Sequence, residues 1–188
     1  MSNMSDKQIN LEDIAEDIRP TIYTQDYSKD DHIDDVKVIT LKNHPGEDGD
    51  FCELLKLNID AEVEGLTGFK LVQINRAKLN PRSIKAWHLH FKQDEMWYVV
   101  PDDHLFVGLW DVRKNSRTNG RNMRMILGGG ESRLLFIPRG VAHGSANFLE
   151  RPVDMFYFVN KKFDINNPDE KRIKWDALGN EFWSPLKD

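Results

Sequence analysis

The chain has 188 residues, with 26 Lys and Arg against 31 Asp and Glu, so its formal net charge is −5. This length suits a single domain that buries about two-thirds of its unfolded surface without disulfides. The basic residues do not form the dense patch that follows a phosphate backbone, so we expect no nucleic-acid partner.

Cysteine content and hydropathy indicate the compartment. A single cysteine, Cys52, excludes an intramolecular disulfide and fits a reducing environment. The N-terminus lacks a basic segment followed by an apolar core, and no apolar run is long enough to cross a membrane. We therefore expect a cytoplasmic protein with no membrane partner.

The first 35 residues are polar and acidic and form a predicted appendage. Leu11, Ile14 and Ile18 fall on one helical stripe after Asn10 as N-cap, which predicts a short helix. From residue 36 the apolar pattern changes to a period of two, which is typical of strands. The predicted strands are 36–42, 51–59, 69–79, 83–91, 95–100, 104–112, 122–127, 133–137 and 153–159.

Short, turn-prone segments separate these strands and leave no room for crossover helices, so antiparallel pairing is expected. Many short antiparallel strands predict an all-β jelly-roll barrel over residues 36–160. The remaining segment, 161–188, is charged but contains more aromatic side chains than a disordered tail usually has. We expect this C-terminal extension to pack on the barrel through some of Phe163, Trp175, Phe182 and Trp183.

Two segments predict one polar site inside the barrel. In an extended strand, residues two apart point to the same side, so His88 and His90 share a face. A Pro138–Gly140 turn ends a second apolar run and leads His143 into the following strand, where it could join them. Three imidazoles in one cavity indicate a chemical site.

The opposite face of the same strand is apolar. It presents Trp87, Leu89 and Phe91, which must be covered by something. A second sheet or a second subunit would serve, and we expect a homodimer.

Six segments together resemble the dTDP-4-dehydrorhamnose 3,5-epimerase family. They follow the family's QxN, RGLH, DxRxxSPTxG, IPxGxAHG, later Tyr and C-terminal signatures in order, over roughly residues 47 to 183. The resemblance implies a jelly-roll cupin (a double-stranded β-helix), a dimer, and epimerisation of a 4-keto sugar nucleotide beside the ketone. The segments are Gln73–Asn75, Ile84–His88, Asp111–Gly120, Ile137–Gly144, Tyr157 and Ile173–Asp176.

The resemblance also implies roles for individual residues. His88 matches the family's base, Tyr157 its proton donor and His143 a second active-site histidine, while Lys85 replaces an arginine just before the base. A base on one face of the sugar and an acid on the other are what enolate chemistry requires, and no cofactor is implied. Residues expected to contact the substrate are Gln73, Asn75, His90 and Arg113.

Three of these residues have a structural alternative. Asn75 also fits a residue that satisfies backbone groups. Tyr157 lies in an alternating apolar strand and also fits a core aromatic. Arg113 also fits an ion pair with Asp111 at a strand end.

The chain departs from the family pattern at several positions. Asp48 replaces an arginine that helps hold the nucleotide, Val107 replaces a carboxylate near the base, and Met96–Trp97 has no lysine near the ketone oxygen. Phe163 replaces a common tyrosine, and Leu186–Asp188 is a faint match to the segment that supplies the base with a carboxylate partner. A catalytically silent sugar-binding cupin is therefore one alternative.

A second alternative is a metal site. His88, His90, Glu95 and His143 match the HxHxxxxE and PxGxxHxxxN motifs of metal-binding cupins, and His90 stands where the epimerases usually have Gln. Three imidazoles and a carboxylate leave open positions on Fe, Mn, Ni or Zn. This set predicts a metal-dependent isomerase or oxygenase.

Overall fold

The computed structural model describes residues 8–24 and 32–185. The chain divides into two units, residues 1–30 and residues 31–188. In the first unit the predicted helix is present only as two 3₁₀ turns, Leu11–Asp13 and Arg19–Thr21. Leu11 and Ile18 are 56% and 49% exposed, so the stripe lacks the packing that stabilises a short helix. Within the described residues, no helix has the length and apolar character needed to span a membrane.

The second unit is built from strands that closely follow the period-two segments. Among residues 32–185, a 3₁₀ turn is found at Asn180–Trp183. The strands are β1 Lys37–Thr40, β2 Asn43–Gly46, β3 Gly49–Cys52, β4 Gln73–Leu79, β5 Ile84–Leu89, β6 Glu95–Val99, β7 His104–Asp111, β8 Asn122–Gly128, β9 Arg133–Ile137, β10 Val141–Ala146, β11 Val153–Val159 and β12 Lys171–Arg172.

Two five-stranded sheets form the barrel, and their strand pairs are antiparallel. The first sheet has the order β1-β9-β6-β11-β4 and the second the order β12-β5-β10-β7-β8. Side chains from both sheets, including Trp97, Leu109, Leu135 and Val141, form the core between them. The all-β jelly roll predicted from the sequence is confirmed.

Two predicted boundaries are wrong. The segment 43–52, expected as a turn followed by a strand, is a two-stranded hairpin of β2 and β3. Residues 53–72 hold no regular strand, although Val63, Leu66 and Phe69 are buried against the first sheet. Burial of apolar side chains there is satisfied by irregular chain, which a period-two pattern does not distinguish from a strand.

The C-terminal segment covers the outer face of the second sheet. Phe182 and Trp183 are buried against Trp87, with ring centroids 5.1 and 4.7 Å from it. Gly108 and Gly144 lie opposite each other in the β7–β10 pair and leave the room that these rings fill. The apolar face is thus covered by neither of the two expected partners but by the chain's own extension, and Phe91 remains exposed.

Candidate active site

Strand pairing brings the predicted histidines together. His88 on β5 pairs with His143 on β10, and their rings stack with centroids 5.9 Å apart. His90 follows the end of β5, and its ring centroid lies 5.3 Å from that of His143. Alternation along β5 and the register of β10 therefore direct three imidazoles inward, as the sequence indicated.

These rings face a cavity of about 560 Å³ between the two sheets. Predicted site residues from both sheets line it, together with residues of the segment that follows β11. Arg113 is not among the lining residues. The predicted residues that line the cavity are Gln73, Asn75, Lys85, His88, His90, Glu95, His143 and Tyr157.

A buried carboxylate organises the floor of the cavity. One oxygen of Glu95 lies 3.0 Å from His90 Nε2 and accepts a 2.7 Å hydrogen bond from Gln93 Nε2. The other oxygen accepts a 2.7 Å bond from Trp97 Nε1 and lies 3.6 Å from His143 Nε2. Burial opposes ionisation, but the histidines and Trp97 lower the pKa of Glu95 to about 2. The carboxylate is therefore ionised at neutral pH.

Backbone carbonyls set the orientation of two of the histidine rings. His143 Nδ1 lies 3.0 Å from the Val141 carbonyl, and His90 Nδ1 bonds the Asp169 carbonyl. A carbonyl only accepts, so each Nδ1 bears the proton and each Nε2 faces Glu95. Burial lowers the pKa of His143, whereas for His90 the bond to Glu95 outweighs burial and raises the pKa.

His88 has a different environment. Its Nδ1 lies 3.2 Å from Glu170 Oε1, and its Nε2 lies 2.6 Å from Arg172 Nη1. Burial, His143 and Arg172 lower the pKa of His88 to about 3, so the ring is neutral at pH 7. Arg172 lies opposite His88 in the β12–β5 pair, which explains why both charged side chains reach this ring.

Glu170 and Asp169 are site residues that the sequence analysis missed. Glu170 occupies the place of a carboxylate partner, whereas the faint match at 186–188 lies outside the described residues. The Asp169 carboxylate accepts the backbone N–H groups of Phe91, Lys92 and Gln93 at 3.1, 2.6 and 3.0 Å. It therefore fixes the loop between β5 and β6 that contains His90. The sequence signal that could have found Glu170 is the resemblance, because the family's C-terminal segment supplies the base with a carboxylate partner.

The wall opposite His88 contains Tyr157. On β11 it pairs with Asn75 of β4 and Trp97 of β6, and burial followed by the charge of Glu95 raises its pKa. Gln73 donates a 2.7 Å hydrogen bond to Asn75 Oδ1, so these two amides act as a pair. The hydroxyl of Tyr157 therefore remains protonated at neutral pH and can donate.

Arg113 belongs to a structural network at the end of β7. Its Nε lies 2.9 Å from Asp111, and its Nη1 lies 2.8 Å from Asp35. Burial would raise the pKa of Asp111, but bonds from Arg113, Ser116 and Thr118 hold it well below its usual range. Arg113 thus forms the ion pair with Asp111 that was its structural alternative, and it does not line the cavity.

Of the four residues of the metal motif, three come together. Ligand atoms of His90, Glu95 and His143 lie within 4.8 Å of one another, and all three side chains are buried. His88 lies outside this group, because its ring nitrogens face Glu170 and Arg172.

Comparisons with known proteins agree with this architecture. The family model for dTDP-4-dehydrorhamnose 3,5-epimerase matches residues 30–182. The spore coat polysaccharide biosynthesis protein SpsL of Bacillus subtilis (strain 168) is 39% identical over 144 residues, which cover 77% of this chain and 91% of SpsL.

Solved structures are similar as well. The epimerase RmlC of Legionella pneumophila Philadelphia 1, crystallised with dTDP-4-keto-L-rhamnose, is 27% identical with a TM-score of 0.68, over 83% of this chain and 81% of that one. The dTDP-4-dehydrorhamnose 3,5-epimerase of Bacillus anthracis str. Ames, at 20% identity over 86% of this chain and 90% of that one, has a TM-score of 0.69 and supports the fold. Together with the histidine-lined cavity, these matches show that the chain belongs to the dTDP-4-dehydrorhamnose 3,5-epimerase family of sugar nucleotide epimerases.

Proposed function

We propose that the protein epimerises a 4-keto sugar nucleotide, with His88 as the base and Tyr157 as the acid. The observation that carries this proposal is that the two side chains lie on facing sheets of one cavity. A base and an acid on opposite faces of a sugar ring are what inversion through an enolate requires. SpsL acts in polysaccharide biosynthesis by its name, which supports a sugar nucleotide substrate for this chain.

The proposed reaction has two proton transfers. His88 Nε2 takes the proton from the carbon beside the ketone, and the C–H electron pair delocalises into an enolate. Tyr157 then donates its proton to the other face of that carbon. Glu170 Oε1 lies 3.2 Å from His88 Nδ1, so its negative charge stabilises the imidazolium that forms. His143 and Lys85 contribute polar and cationic neighbours to the developing oxyanion.

Solvent exchange tests this function. We expect dTDP-4-keto-L-rhamnose to gain deuterium in D₂O with the wild type, and we expect His88→Asn to abolish the gain. The matched control is His44→Asn, because His44 is an exposed histidine on the β2–β3 hairpin, away from the cavity lining. Binding of the nucleotide without His88-dependent exchange would instead identify the protein as a silent sugar-binding cupin.

The second candidate, a metal-dependent isomerase or oxygenase, is supported by the geometry at Glu95. In the neutral rings, the Nε2 lone pairs of His90 and His143 face its oxygens at 3.0 and 3.6 Å. Lone pairs directed at a carboxylate need a proton or a cation between them, so the residues fit a divalent metal as well as a protonated His90. A metal held by these three residues would supply a Lewis acid to the ketone.

Metal analysis separates the two occupants. We would purify the protein without chelator and compare it with His90→Gln, which places the family's usual residue at this position. A stoichiometric transition metal that is lost in the variant would support the second candidate. Less than about a tenth of an equivalent in the wild type would eliminate it, because a site with three good ligands retains its metal.

We also propose a homodimer. The apolar face of β5 no longer supports it, since the chain itself covers that face. Support comes instead from β4, which is an edge strand of its sheet. Ile74 in β4 and Val72 just before it are 58% and 44% exposed. Light scattering should give twice the 21.9 kDa chain mass, and Ile74→Glu should give the monomer mass. A monomeric wild type would refute this proposal.

A further inference from the structure

In the structure, His88 Nε2, the nitrogen that the proposed reaction needs as a base, is hydrogen bonded to Arg172. Arg172 Nη1 lies 2.6 Å from Nε2. A guanidinium has no acceptor and stays protonated, so the Nε2 lone pair accepts this hydrogen bond. The ring is therefore in the tautomer that a base requires, but its lone pair cannot take a substrate proton while Arg172 remains there.

The backbone explains why Arg172 reaches this position. Ile173 exchanges two backbone hydrogen bonds with Trp87, at 3.2 and 3.3 Å, which sets the register of β12 against β5. Arg172 then lies opposite His88 and donates a hydrogen bond to Glu170, whose Oε1 also lies 3.2 Å from His88 Nδ1. The Arg172 side chain is 57% exposed, whereas that of His88 is 24% exposed. The guanidinium is thus the more solvent-exposed partner of this contact, and the backbone bonds of β12 do not involve it.

We propose that Arg172 is a cap on the base and that an anionic group of the substrate removes it. This inference rests on the proposed role of His88. A phosphate or diphosphate offers the guanidinium a charged, bidentate partner that a neutral imidazole cannot match. Departure of Arg172 frees Nε2 and removes a positive charge from the place where an imidazolium must form. Binding of the anion and availability of the base are thereby coupled.

The cavity has the charge that this anion needs. Lys92, Lys161 and Lys162 line it, and no ion pair engages them among residues 8–24 and 32–185. Four carboxylates line it as well: Glu95 lies against His90, Glu170 against Arg172, and Asp169 and Asp164 accept backbone N–H groups. Among the described residues, the cavity therefore presents lysines without an ion pair, although the net charge of the whole chain is −5.

Exchange kinetics with charged and neutral substrates test the cap. The substrates are dTDP-4-keto-L-rhamnose, the corresponding 4-keto sugar 1-phosphate and its neutral methyl glycoside. For Arg172→Ala we expect the KM of the sugar nucleotide to rise about tenfold, the value of one charged contact. We expect deuterium exchange into the methyl glycoside to become about tenfold faster, because its base is no longer capped. The sugar phosphate shows whether one phosphate is enough or a diphosphate is required.

The opposite signs of these effects distinguish a cap from a structural residue. Lys171→Ala is the matched control, because it shortens the neighbouring long cationic side chain of β12 and should change neither value. Arg172→Lys should restore part of the sugar nucleotide KM. A rate for the methyl glycoside that is unchanged or lower in Arg172→Ala would overturn the proposal.

A binding experiment keeps the inference testable even if no epimerisation is found. The ¹⁵N chemical shift of His88 Nε2 reports whether its lone pair is hydrogen bonded. Adding dTDP to the wild type should move this shift toward the value of Arg172→Ala, and dTDP should bind that variant about tenfold more weakly. If dTDP binds both proteins equally, or leaves the shift unchanged, the cap is refuted, whereas loss of exchange alone refutes only the proposed function.

Discussion

Replacement of Trp183 by Ala tests how the C-terminal segment supports the active site. Trp183 is 3% exposed, and its ring centroid lies 4.7 Å from Trp87, 5.0 Å from Phe182 and 5.6 Å from Phe106. Trp87 is the neighbour of His88, and Gly144, the neighbour of His143, faces Trp183 Cη2. The indole therefore packs directly behind both site histidines.

The magnitude follows from what is removed. Truncating a buried Trp to Ala costs about 3–5 kcal/mol through lost burial and the cavity that remains. Trp183 Nε1 also donates a 2.8 Å hydrogen bond to the Trp175 carbonyl, which adds about 1 kcal/mol. The glycine surfaces beneath the ring have no side chains that could refill the space. We therefore expect a loss near the upper end, about 5 kcal/mol, and a melting temperature lower by about 10–20 °C.

Urea unfolding followed by circular dichroism measures this loss. Trp175→Ala is the control, since that ring is 44% exposed and its carbonyl is retained, so a loss of less than about 1 kcal/mol is expected. Equal losses in the two variants, or a loss below about 1.5 kcal/mol for Trp183→Ala, would show that the segment does not anchor the second sheet.

Three further predictions concern single side chains. Asp111→Asn should lower the free energy of unfolding by about 3–5 kcal/mol at pH 7, because Arg113 keeps its charge and loses a buried partner. The pKa of Asp111 is lower in the folded than in the unfolded protein, so its ionised form stabilises the fold above about pH 4. The difference in unfolding free energy between variant and wild type should therefore shrink as the pH falls below this value. A difference that stays constant in denaturant titrations would contradict this. Tyr157→Phe should retain solvent exchange but lose the epimerised product in NMR spectra, and loss of both would reassign its role. Gly144→Ala should cost about 1–3 kcal/mol in urea, because its Cβ would lie 2.5 Å from Ala86 Cβ and 2.8 Å from Trp183 Cη2, and a neutral result would argue against this close packing.

Alternation and turn chemistry were sufficient to predict the barrel and the core of the site. The side-chain period of two places His88 and Trp87 on opposite faces of β5, and the structure retains that division, with one facing the cavity and the other the C-terminal segment. The Pro138–Gly140 turn delivers His143 to the same wall because β10 pairs with β5. The first fact depends on local geometry, which the sequence expresses directly, whereas the second also depends on the long-range pairing of β10 with β5.

Contacts made by irregular or very short segments could not be predicted in the same way. β12 has two residues, both exposed and charged, so it has no periodic apolar signal. Its position depends on backbone pairing with Trp87, a partner far away in the chain. Glu170 and Arg172 therefore reach His88 through a pairing that neither composition nor pattern encodes. The contact of Trp183 with Trp87 is also long-range, and the sequence pattern does not predict it.

Whether Glu95 faces a proton or a metal depends on the contacts that the other ring nitrogens of His90 and His143 make. His90 and Glu95 were evident from their spacing, yet spacing does not determine which ring nitrogen bears a proton. That is decided by the carbonyls of Val141 and Asp169, which are backbone groups present at every residue and thus invisible in the sequence. Because both rings bind these carbonyls through Nδ1, both Nε2 atoms face the same carboxylate, and a single cation or a single proton must neutralise it. The motif therefore predicts three of the residues that come together, whereas backbone carbonyls of β10 and of the segment before β12 determine which nitrogens face Glu95.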